Sequence, residues 1–169
     1  LFDNRDTTPD TAYRYAKGLP VVHPMHRGRV QIETPLDFLV VSDHAEITGI
    51  PLRVYTGDEQ VANTEFGEFA RKKIAEGKPG AVFSRLVAEA NSGSGTFIGE
   101  LNQPAIRQSP WQDMLSAADR HNQPGVFTAF IGWEWSSTPD GANLHRIIVT
   151  DGDRANASNY LPFSSLDSQ

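Results

Sequence analysis

The chain has 169 residues, a formal net charge of −6 at pH 7 and no cysteine. That length makes one domain or a piece of a larger one. The acidic balance argues against an electrostatic nucleic-acid binder, which carries a basic patch. Without cysteine there is no disulfide, zinc finger or thiolate nucleophile, so any metal must sit on His, Asp or Glu. Leu, Ile, Val and Phe number 40, above the roughly 20% below which chains stay disordered. A core can therefore be built. No apolar run is long enough to span a membrane, so a soluble protein, cytoplasmic or periplasmic, is expected. The start at Leu1-Phe2-Asp3 is no signal peptide. Both ends are abrupt, and the chain reads as an excerpt.

Thr8-Pro9-Asp10 opens a short helix that Gly18 stops. Residues 19–34, Val-rich and broken by Pro20, Pro24 and Gly28, suggest a small hairpin. Leu36 to Val41 is an apolar run of the kind found in strands buried on both faces. Phe66, Phe69, Ala70 and Ile74 recur at helical spacing between a cap at Asn63 or Thr64 and a stop at Gly77. A second helix covers 81–90 and ends in the loop Asn91 to Gly95. A third starts at Ser109-Pro110-Trp111-Gln112, where Trp111, Met114, Leu115 and Ala118 make one apolar face. Asn122 to Gly125 ends it. A strand from Val126 to Ile131 runs into Gly132-Trp133-Glu134-Trp135, and a turn at Pro139-Asp140-Gly141 leads to a strand over 143–149. The tail from Thr150 reads as polar loop. This order points to an α/β fold.

Site residues in α/β folds collect at strand ends. Two polar clusters lie there: Ser42-Asp43-His44-Ala45-Glu46, and Glu134 between two tryptophans, with His145 close by in sequence. Taken singly, each has an ordinary reading as a polar turn, a surface carboxylate or a core histidine. His23 and His26 read as solvated hairpin residues, and His121 as a cation at a helix end. Period-2 alternation puts Phe130, Gly132 and Glu134 on one strand face, and Ile131, Trp133 and Trp135 on the other. A carboxylate on an inward face needs a cationic partner. Glu134 is therefore expected to share one cavity and one metal cluster with His44.

The stretches Pro35 to Glu46, Phe127 to Trp135 and Asn143-Leu144-His145-Arg146, in that order, resemble a bacterial domain-of-unknown-function branch. That branch is related to the polymerase-and-histidinol-phosphatase (PHP) metal-dependent phosphoesterases. The likeness extends over most of the chain. It implies a distorted (β/α)7 TIM-like barrel with two or three divalent metals, Zn, Mn or Fe, at its C-terminal face. It also implies His44, Glu134 and His145 as metal ligands, with Asp43 as neighbour or further ligand. Family members also carry a His-x-His pair on the first strand and further ligands on late strands, and neither is present. Residues 1–169 are then the central portion of the barrel, a single incomplete domain, and a partial barrel exposes strand edges.

The expected function is a metal-dependent hydrolase, a phosphoesterase that activates water on a His/carboxylate metal site. Asp43, His44 and Glu134 are its catalytic residues, and its substrate is a small phosphate ester. Arg146 would pair with the phosphate, with Trp135 as a second substrate contact. The alternatives are a non-enzymatic carbohydrate- or ligand-binding module that stacks its ligand on Trp133 and Trp135, and a metal-free hydrolase using Glu134 and Asp43.

Overall fold

The computed structural model describes residues 4–92, 96–137, 142 and 144–168. The expected turn at Pro139-Asp140-Gly141, Asn143 and the loop residues Gly93 to Gly95 lie outside the described residues. Helix α1 (Pro9–Ala16) begins as its sequence dictates, with Thr8 as N-cap and Pro9 in the first turn. A two-stranded antiparallel ribbon follows, β1 (Val21–Val22) with β2 (Arg29–Val30). Strand β3 is Phe38–Val40. Helices α2 (Ile50–Thr56), α3 (Glu59–Ala62), α4 (Glu65–Ala75), α5 (Gly80–Ser92), α6 (Thr96–Gly99) and α7 (Pro104–His121) occupy the middle of the chain. Strands β4 (Thr128–Ser137) and β5 (Leu144–Thr150) and helix α8 (Arg154–Ala157) close it. None of these helices is long and apolar enough to cross a membrane.

The main sheet has the order β3-β4-β5, with β3 parallel and β5 antiparallel to the central β4. The fold is thus mixed α/β. Among the described residues the two sheets stay separate and do not close into a barrel. Helices α1 and α7 cover one face of the main sheet, where Tyr13, Ala117, Phe127 and Ala129 form one cluster and Trp111, Met114, Leu115 and Trp133 the next. A further cluster joins α2 to α6 around Val61, Phe66, Val82 and Leu101. The opposite sheet face is open, so β3 is not buried on both faces as its apolar run suggests. It is an edge strand, and its Phe38 is 62% exposed.

Two expectations are corrected by contacts from distant parts of the chain. Helix α7 starts at Pro104, not Ser109, and so carries Pro110 inside it. An internal proline has no N–H to give to the carbonyl four residues back, here Ile106. Arg53 supplies the missing donor, its Nη1 lying 2.5 Å from the Ile106 oxygen. The same guanidinium reaches Asp58 Oδ1 at 2.9 Å and Gln60 Oε1 at 2.7 Å. Replacing Arg53 with Leu is therefore expected to cost about 1–3 kcal/mol, the penalty for a buried carbonyl left unsatisfied. A lowered urea midpoint with an unchanged m-value would show it.

The tail is likewise more than loop. Ala157 and Ser164 are fully buried. Trp111 Nε1 donates to the Ala157 carbonyl and Trp133 Nε1 to the Phe163 carbonyl, each at 3.0 Å. A 3-10 turn, Ser165–Ser168, ends the described chain. Its polar sequence hides this role because only scattered apolar side chains, Ala157, Leu161 and Leu166, dock it on the core, and the two indoles bond to its backbone carbonyls.

Candidate metal centre

Strand β3 ends at Val40, but the chain rejoins β4 at His44, which bridges Glu134 in parallel fashion. Glu134 N donates to the Asp43 carbonyl at 2.9 Å, and Ala45 N to the Glu134 carbonyl at 3.0 Å. These two bonds set His44 and Glu134 side by side. On the other flank β5 pairs Ser136 with His145 and Glu134 with Ile147. Residues paired across a ladder share a face. Glu134, Ser136 and His145 therefore stand together on the face that the helices leave open.

The side chains meet there. His44 Nε2 lies 3.7 Å from Glu134 Oε2, and His145 Nδ1 is in close hydrogen-bond contact with Glu134 Oε1. The two imidazole rings stand edge to face, 5.6 Å apart. One donor atom from each of His44, Glu134 and His145 falls within 4.8 Å of the other two, so the group could hold a metal ion. Glu134 is the deepest of the three, with a side chain 14% exposed against 29% for His44 and 52% for His145. Two imidazoles and a carboxylate suit Zn, Mn or Fe in a chain without thiolates.

Ser136, absent from the expected site, is its hub. Its Oγ lies 3.0 Å from His44 Nδ1, 3.0 Å from Glu134 Oε1 and 3.2 Å from His145 Nδ1. A hydroxyl carries one proton and an ionised carboxylate only accepts, so Ser136 donates to Glu134 and accepts from His44, while the His145 Nδ1–H goes to the nearer Glu134 Oε1. His44 is then the Nδ1–H tautomer, with its lone pair at Nε2 on the Glu134 side. Extending the β4 alternation by two residues, from Glu134 to Ser136, would have found this serine.

Other sequence candidates lie elsewhere. Asp43 lines an open cleft of about 870 Å³ between α1, the ribbon, α2 and α7, together with Tyr15, Arg53, Asp113 and Arg120; His44 also reaches its wall. Asp43 is exposed to that cleft, yet dense protein surrounds its carboxyl. Arg146 pairs with Trp135 across β4 and β5, on the face opposite Glu134, and its guanidinium lies 4.8 Å over the Trp135 ring. The structure thus does not bring Arg146 and Trp135 together with His44, Glu134 and His145. Trp133 is 8% exposed and meets Trp111 edge-on at 5.9 Å. His23 and His26 stack on each other at 3.8 Å in the ribbon loop. His121 closes on Asp10 Oδ1 at 2.9 Å.

The electrostatics separate the two carboxylates. Desolvation raises Asp43, the nearby Glu134 adds to the rise, and His44 opposes it. Desolvation also acts to raise Glu134, but hydrogen bonds from His145 and Ser136 and the two histidine charges outweigh it, and the net shift is downward. A carboxyl raised in the folded state lowers stability as pH climbs from its unfolded pKa through its folded one. Asp43→Asn is therefore expected to raise Tm at pH 7–8, with the gain vanishing below about pH 4, where both states are protonated. Thermal melts across that range test it.

A mixed α/β fold whose sheet carries, on its open face, a His/Glu/His cluster that could hold a metal ion defines the class. The chain belongs to the family described as protein of unknown function (DUF3604), whose model matches residues 1–169. The match bears out a domain of unknown function and does not extend to the PHP phosphoesterases. No curated protein and no solved structure matches the chain.

Proposed function

We propose that the protein is a metal-dependent hydrolase acting on a phosphate ester, with His44, Glu134 and His145 as metal ligands. The observation that carries this reading is the convergence of one donor atom from each of these residues within 4.8 Å. Three protein ligands leave coordination positions open, as in catalytic rather than structural sites. A divalent cation there supplies a Lewis acid and a bound water of lowered pKa. His44 offers its Nε2 lone pair because Ser136 takes up Nδ1–H. Glu134 brings the negative charge, kept ionised by the hydrogen bonds it accepts. Asp43, next to His44 in the chain, lines the cleft whose wall His44 also reaches.

Charge supports the same reading. The chain is acidic, and the arginines of the cleft are engaged, Arg53 by Asp58 and Arg120 by Asp10. An anionic ester would thus meet its countercharge at the cation. The kinship with PHP phosphoesterases and their barrel belongs to this proposal too. Its support is the open sheet face, where Phe38, Phe130, Ile147 and Val149 are exposed, as on a barrel wall whose inner side bears the ligands.

The test is metal content and hydrolysis of p-nitrophenyl phosphate and bis-p-nitrophenyl phosphate, before and after chelation. Activity lost to chelator and restored by Mn²⁺ or Zn²⁺ is expected, and His44→Ala should bind neither ion. A protein that binds no metal overturns the reading. The opposed shifts of Asp43 and Glu134 favour, as a second reading, an acid–base carboxylate pair, for which activity would survive chelation. A stacking module is less suited, because Trp133 is packed in the core and Trp135 is covered by Arg146.

A further inference from the structure

We propose that Glu46 is a positioning residue for His44. One oxygen of its carboxylate is clamped by Ser165, and the other takes the His44 Nδ1–H and holds the ring with Nε2 toward the cation. This deepens the metal reading above and rests on it. Glu46 is largely buried, with its side chain 11% exposed. Its Oε1 accepts from Ser165 N at 3.0 Å and from Ser165 Oγ at 2.9 Å. Its Oε2 is buried and makes no hydrogen bond.

Buried polar atoms are nearly always satisfied, and an exception calls for a reason. The reason stands 3.9 Å away: Glu46 Oε2 faces His44 Nδ1. His44 Nδ1 stands 3.0 Å from the Ser136 hydroxyl, which as an acceptor of Nδ1–H is neutral and weaker than a carboxylate. A cation drawing on Nε2 makes Nδ1–H a stronger donor, and a modest turn of the ring exchanges Ser136 for Glu46. A carboxylate behind a ligating histidine fixes its tautomer and raises its basicity.

The clamp is firm enough for that task. Ser164, beside it, is fully buried, and Asp167 accepts from Ser164 N at 2.8 Å while pairing with Arg107 at 2.8 Å. A segment 119 residues further along the chain therefore sets the posture of a ligand on the sheet.

Glu46→Gln keeps an acceptor for Ser165 and removes the charge. Mn²⁺ and Zn²⁺ titration by calorimetry should show affinity reduced about 10–100-fold. ¹H NMR of the Zn²⁺-loaded protein should show the His44 Nδ1–H proton shifted upfield in E46Q and unmoved in Ser136→Ala, because with the cation bound Glu46 and not Ser136 takes that proton. Affinity within about twofold of the parent and an unchanged His44 pattern in E46Q would overturn the proposal. So would an upfield shift of that proton in S136A. If the parent binds no metal, the metal reading fails and Glu46 with it; a parent that binds beside an E46Q that binds equally well overturns Glu46 alone. If E46Q folds poorly, Ser165→Ala removes one of the two donors on Oε1 and should act in the same direction. No change there also overturns it.

Discussion

Replacing Glu134 with Ala is expected to abolish metal binding and to cut phosphate-ester hydrolysis by about 10³-fold or more. Lewis-acid stabilisation is worth several kcal/mol, and each 1.36 kcal/mol is a factor of ten in rate. The effect is large because this one carboxylate is the junction of the cluster. It lies 3.7 Å from the His44 ring, accepts from Ser136 and contacts His145. Without it the two imidazoles lose both the negative charge between them and the acceptor that fixes the Ser136 hydroxyl. Glu134→Gln separates these effects, since it keeps the shape and loses the charge. It should fold as well as the parent and bind metal as poorly as E134A. Inductively coupled plasma measurements on the purified variants, beside rates on both nitrophenyl esters, give the answer. Parent-level metal and rate in E134A would remove Glu134 from the site.

The reach of the sequence differs from element to element. Helix α1 begins at Thr8-Pro9 and α4 runs from its Thr64 cap to the turn at Gly77, because caps and stops are written in adjacent residues. The faces of β4 follow from alternation alone, and alternation already separates Glu134 from Trp133 and Trp135. Where long-range partners decide, local signals mislead. Ser109-Pro110 looks like a helix start, but the helix runs through it, and Arg53 gives the Ile106 carbonyl its donor across 53 residues. Arg146 looks like a phosphate ligand beside His145, but neighbours in a strand point to opposite faces, and its pairing with Trp135 sends it away from the cluster. Glu46 reads as one more polar residue after His44. Its place becomes visible only once the distant Ser165 closes on it. The helix through Pro110 and the place of Glu46 each rest on a hydrogen bond between residues far apart in sequence, which no periodicity records.

Gly132 lies where sheet packing and site geometry meet, and Gly132→Ala is expected to damage both. Two effects compete. A glycine inside a strand costs about 0.5–1 kcal/mol of backbone entropy that alanine would recover. Against that, an added Cβ would stand 2.5 Å from the Ile148 carbonyl oxygen and 2.6 Å from Val40 Cγ2. Overpacking of this kind costs about 1–3 kcal/mol and more where backbone must move. Here one of the two clashing atoms is backbone of β5, which no rotamer change moves, and the other is a methyl of the β-branched Val40 on β3, a side chain stiff at χ1. Overpacking wins, and a net loss of about 2 kcal/mol corresponds to a Tm lower by about 4–8 °C for a chain of this size. The displacement also falls on the strands that carry the ligands. Val40 is four residues before His44, and β5 brings His145. Pushing either strand from β4 opens the gap between the rings and Glu134, so metal affinity should fall together with Tm. The second variant Val40→Ala, Gly132→Ala removes one of the two clashes and should recover part of the lost stability. Thermal melts paired with Mn²⁺ titration distinguish the cases. A G132A protein as stable as the parent and binding the ion equally would show that the sheet yields at this point without moving the ligands.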